Sequence, residues 1–148
     1  MTFLSAGTIY AYRRGAATRG MGTHGTPAVR PVNFSEAFDS FEETWSPRLA
    51  AELNGQAVKL AKMEDAFVWH SHPDADELFL VVEGSVTVEL RGEEDVTLDA
   101  GELAVVPRGV DHRPVSEAGA NVLLFEPAGT ENTGDAEDGE MAADVRDL

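Results

Sequence analysis

The sequence predicts an all-β domain preceded by a short helical segment. Apolar and polar residues alternate from Gln56 to Leu90, the period of strands with one buried face. Turn-forming clusters interrupt that pattern at hairpin spacing, around residues 73–76, 91–95, 99–101 and 107–109. A chain of 148 residues is long enough for one domain with a real core. Short strands at this spacing indicate an antiparallel barrel or sandwich.

Residues 1–30 combine Gly, Thr, Ala and Arg without a sustained period. They read as a disordered extension, or as sequence upstream of a true start at Met21. No apolar run follows Arg13-Arg14, so a twin-arginine signal is rejected and the cytoplasm is the expected compartment. His24 reads as a tail residue. Asn33 then fits a helix N-cap with Glu36 at the capping-box position. Phe34, Phe38 and Phe41 follow at i, i+4 and i+7, which predicts a helix packed on the outside of the sheet. Ser46-Pro47 suggests a second helix start, with residues 48–53 as one or two turns stopped by Asn54-Gly55.

From Gln56 the period becomes two, with Val58 and Leu60 alternating with Lys59 and Ala61. Residues 64–66 read as a turn and 67–72 as a strand. Further strands are expected at 78–82, 85–90, 96–98, 103–106, 112–115 and 121–125. The apolar pattern ends at Pro127. Residues 131–148 hold seven acids against Arg146 alone, so a disordered acidic tail is expected from 129 onward.

The chemistry concentrates in two places. Trp69-His70-Ser71-His72 puts two imidazoles on one face of an extended segment, and Glu77 opens the strand that folds back beside it. His112 opens another strand after the Pro107-Arg108-Gly109 turn. Two imidazoles and a carboxylate on facing strands can share a cation, and His112 beside them makes three nitrogens and one oxygen. His70, His72, Glu77 and Gly84, followed by Gly101, Pro107, Gly109 and His112, resemble the two signature motifs of the cupin superfamily. The second motif often ends in Asn four residues after its His, where this chain has Ser116.

The resemblance implies a small jelly-roll barrel over residues 31–128, of the kind labelled mannose-6-phosphate isomerase-like, and a homodimer. It implies one divalent transition metal ion on His70, His72, Glu77 and His112. Iron, manganese, nickel, copper and zinc all suit such ligands, and two positions of an octahedral ion would stay open. Phe79, Val81 and Val68 are candidates to line the cavity. Asp74 and Asp76 read as solvated turn residues, and neither Arg108 nor Arg113 is expected to meet substrate. The expected partner is a small organic molecule, bound by a metal-dependent enzyme of oxygenase or isomerase type or by a non-catalytic binding or sensor protein; a domain whose metal is purely structural is the third reading.

Composition sets outer limits. There is no cysteine, which excludes disulfides and thiolate ligands. The formal net charge is -16, which argues against nucleic acid and anionic membranes as partners. No acid precedes Glu36, whereas Arg13, Arg14, Arg19 and Arg30 do, and lysine occurs only at 59 and 62. This acid-rich, lysine-poor pattern resembles proteins of salt-in halophiles, where salt screens self-repulsion.

Overall fold

The computed structural model describes residues 29–136 and 141–148. The expectations for residues 1–28, including Met21 and His24, and for tail residues 137–140 lie outside the described residues. Helix α1 (Phe34–Asp39) starts as its sequence indicates, with the Asn33 side chain accepting the Glu36 N–H at 3.2 Å. Phe38 and Phe41 are buried with Ala37, Ala50 and Leu60 in an outer layer on the sheet.

The second expected helix does not form. Residues 48–53 are strand β1 (Arg48–Leu53), paired antiparallel with β2 (Gln56–Ala66). Asn54 and Gly55 join them with φ of 50° and 77°. Positive φ at both central residues matches the right-handed twist of a tight hairpin, so Asn-Gly here is a strand connector and not a helix stop.

Strand β2 continues through residues 64–66, and the expected turn is reduced to a ladder irregularity between Met63 and Asp65. Residues 67–72 are not a strand: the chain leaves the ladder, and one bridge, His70 opposite His112, remains. The expected strands at 78–82 and 85–90 are one, β3 (Glu77–Leu90). Strands β4 (Val96–Asp99) and β5 (Leu103–Val106) both pair with β3. The strands expected at 112–115 and 121–125 merge into β6 (His112–Pro127). A short β7 (Arg146–Asp147) follows.

The strands form one folded sheet in the order β4-β3-β6-β2-β1-β7, with β5 against β3, and it does not close into a barrel. The all-β expectation holds. Long strands β3 and β6 bend together at Gly84, where the register shifts. A Cβ on Gly84 would lie 2.3 Å from the Gly119 carbonyl oxygen, so only glycine permits that close passage. Folding the sheet buries Met63, Phe79, Val81, Val86, Val122 and Leu124 in its interior. With α1 over the other side, both faces of β2 are covered. Lys59 therefore points inward with Met63 and is buried, contrary to the simple alternation.

The acidic segment is not structureless where it is described. Strand β7 lies parallel to β1, and Leu148 packs with the outer layer. A few specific contacts, not an apolar pattern, seat these residues.

Candidate metal centre

The four candidate ligands come together. His70 and His72 lie on the connection between β2 and β3, while Glu77 and His112 are the first residues of β3 and β6. The His70 N–H donates to the His112 carbonyl at 3.0 Å, and the His112 N–H returns the bond at 2.9 Å. The His72 carbonyl accepts the Gly109 N–H at 2.9 Å, which ties the Pro-x-Gly turn to the histidine segment. One ligand atom from each of the four residues lies within 4.8 Å of the others, and all four side chains are buried.

The hydrogen bonds orient these rings. His70 Nδ1 is 3.0 Å from the Val68 carbonyl, and His112 Nδ1 is 2.9 Å from that of Val110. A carbonyl only accepts, so each Nδ1 carries the hydrogen and each Nε2 keeps its lone pair. His112 Nε2 is 3.2 Å and His72 Nε2 3.3 Å from Glu77 Oε2. Among the described residues, His72 Nε2 is buried without hydrogen-bond geometry to any partner. Lone pairs converging on a carboxylate are unfavourable unless a cation lies among them. Three imidazoles and one carboxylate suit a divalent transition metal ion. These four buried residues can hold one.

Electrostatics follow the same geometry. Burial opposes ionisation of Glu77, but in the metal-free protein the His112 and His72 rings beside it, when charged, outweigh burial and lower its pKa to about 2. Burial, followed by the positive charge of His112, lowers His70 to about 4. Burial opposes charging of His72, yet the Glu77 carboxylate beside it raises its pKa on balance. In the metal-free protein, the His70 ring is therefore expected to titrate near 4. Between that value and the ordinary 6.5, the unfolded chain binds the proton and the native state does not. The stability this ring contributes is full above 6.5 and is lost as pH falls toward 4. NMR titration of the ring checks this, and a midpoint near 6.5 would contradict it.

A small cleft of about 20 Å³ reaches His70 and Glu77. Its walls include Trp45, Met63, Phe67, Phe79 and Leu124, with Asn132 as a polar member. Trp45 stacks on Phe67 at 4.7 Å, and Phe67 meets the His70 ring edge-on at 5.3 Å. Of the expected cavity residues, Phe79 lines the cleft. Val81 sits in the core cluster, and Val68 lines a separate surface groove with Trp69. Asp74 is exposed, and Asp76 accepts the Arg108 N–H at 2.9 Å rather than orienting an imidazole. Arg113 donates to Glu89 and lies over the Trp69 ring. Ser116, where the motif often has Asn, is buried and donates to the Ser85 carbonyl at 2.7 Å.

Three residues were not anticipated. Lys59 and Glu126 form a buried ion pair at 2.8 Å on the interior face. The ladder that pairs Leu78 with Phe125 sets Glu126 opposite Glu77. Burial, then the Glu77 charge, raises Glu126 to about 7. Asp135, from the acidic segment, reaches Ser71 between the two histidines. A lysine within an apolar strand run was the available signal for the first pair. No local signal marks Asp135.

Residues 57–126 match the cupin domain family model. The crystal structure of a cupin-2 domain containing protein from Shewanella frigidimarina is 43% identical to this chain. It aligns with a TM-score of 0.63 over 65% of this chain and 93% of that one. The chain is a cupin. Among curated relatives, this cupin is 38% identical over 63 residues to the uncharacterized protein YdbB of Bacillus subtilis, covering 43% of this chain and 56% of that one. It is 30% identical over 91 residues to auxin-binding protein ABP19a of Prunus persica, covering 54% and 44% respectively. The cupin thus spans about half the length of these curated relatives. No helix among the described residues is long and apolar enough to cross a membrane.

Proposed function

We propose that this cupin is a metal-dependent enzyme acting on a small organic molecule, by oxygenase or isomerase chemistry. His70, His72, Glu77 and His112 hold the metal in this reading. The observation that carries it is a cleft ending on two of the four clustered candidate ligands. A bound divalent transition metal would polarise a substrate oxygen or activate dioxygen there. The surrounding side chains shape the substrate. Trp45, Phe67, Phe79 and Leu124 favour an apolar body and exclude water, and among the described residues no lysine or arginine lines the cleft. That lining favours a mostly apolar molecule over a sugar phosphate, and because the cleft of about 20 Å³ holds about one water, substrate entry in this reading requires its aromatic wall to move.

A binding or sensor role without turnover is the second reading. It draws support from ABP19a, a relative named for binding auxin. Elemental analysis of the purified protein, followed by oxygen uptake and product analysis with diols, enols and sugar phosphates, separates the two. A transition metal with substrate-dependent turnover is the expected result. Ligand binding without turnover would establish the sensor reading. A tightly held metal with no exchangeable position would count against both oxygenase and isomerase chemistry and would favour a purely structural metal.

A further inference from the structure

The segment that carries His70 and His72 has little regular structure of its own. It leaves the β2 ladder after Ala66, and the Phe67 bond to Pro114, the bridge at His70 and the Gly109 bond to His72 tie it to the rest of the fold. A further tie comes from the C-terminal segment. The Asp135 carboxylate accepts the Ser71 N–H at 2.6 Å through Oδ1 and the Ser71 hydroxyl at 2.8 Å through Oδ2. The Asp135 N–H donates back to the Ser71 carbonyl at 3.0 Å. Three bonds thus converge on the one residue between the two histidines.

The neighbouring residues are arranged for this clasp. A Cβ on Gly134 would lie 2.1 Å from the Ser71 carbonyl oxygen and 3.0 Å from His72 Nδ1, so the segment can seat this closely only with glycine there. Asn132 anchors the same segment to the cleft wall, donating to the Trp45 carbonyl at 3.2 Å. All three residues lie beyond residue 126, where the match to the cupin family model ends.

We propose that Asp135 is a positioning residue for the metal centre, supplied by an acidic segment outside the family domain, which clasps Ser71 and thereby sets the His70 and His72 rings. The proposal rests on the reading of these histidines as ligands. Its logic is that of outer-shell groups that fix ligand orientation, whose loss costs metal affinity without removing a ligand.

The test uses the full chain loaded with Co²⁺, followed by its visible spectrum and by the rate at which a chelator removes the ion. Asp135→Ala is expected to speed metal loss by about 10- to 100-fold and to alter the spectrum. Asp135→Asn should behave almost as the unaltered protein. Its Oδ1 still accepts the Ser71 N–H, and its Nδ2 can donate to the Ser71 hydroxyl. Ser71→Ala, which removes one of the bonds, should fall between and serves if Asp135→Ala does not fold. Unchanged spectrum and off-rate in the destabilised or folded Asp135→Ala and Ser71→Ala proteins would overturn the proposal. Loss in Asp135→Asn as large as in Asp135→Ala would do the same. An unaltered protein that binds neither Co²⁺ nor Zn²⁺ would instead remove the metal reading beneath it.

Discussion

His112→Ala is expected to lower metal affinity by more than about a hundredfold while leaving the fold in place. Loss of an outer-shell partner alone costs about 10- to 100-fold, and a direct ligand should cost more. His112 is a fitting target because its two bonds to His70 run through the backbone and survive the substitution. The lost ring takes away Nε2, 3.2 Å from Glu77 Oε2, and with it one of the four candidate ligand atoms. Metal analysis after equilibration with limiting Zn²⁺ measures occupancy, and a thermal melt of the metal-free proteins checks the fold. Full occupancy in a folded variant would remove His112 from the ligand set.

Lys59→Met should produce the largest loss of stability. Lys59 Nζ donates to Glu126 Oε1 and to the Thr130 carbonyl, both at 2.8 Å, and both charged side chains are buried. Among the described residues Glu126 Oε2 has no hydrogen-bond partner, and the Glu77 charge on β3 acts on it. Removing the ammonium leaves a buried carboxylate facing another, a change that costs about 3–5 kcal/mol in comparable sites. The remedy open to Glu126 is protonation. Its pKa is already raised to about 7, above the ordinary 4.5, so the folded state holds this proton more tightly than the unfolded chain. The penalty should therefore be large at pH 8 and shrink as the pH falls toward 5. Lys59→Met with Glu126→Leu, which replaces both charges, should recover most of the loss. Urea unfolding of both proteins at the two pH values decides it. A single variant as stable as the parent at pH 8 would show that the pair is not needed.

Much of the domain was legible because strand period and turn chemistry are local. Alternation from Gln56, the hairpin turns and the Asn33 cap all have counterparts in the structure. The error at residues 48–53 was also local: Asn54-Gly55 is a stronger hairpin signal than helix stop, and Ser46-Pro47 drew the reading the other way. Residues 67–72 failed for a different reason. Their alternation was right for the side chains, but the backbone there is held by individual bonds and not by a ladder.

Strand alternation suggested His70, His72 and Glu77 as a set, and the resemblance to the two cupin motifs joined His112 to them. Folding alone revealed the groups around them. Lys59 turns inward because α1 covers the opposite face of its strand, and Glu126 meets it across 67 residues of chain. Asp135 reaches Ser71 across 64 residues, from a stretch whose composition suits water. Periodicity and motif spacing report neighbours along the chain. A buried charge pair or a clasp depends on neighbours in space, and nothing in the order of residues near Asp135 states which backbone it will meet.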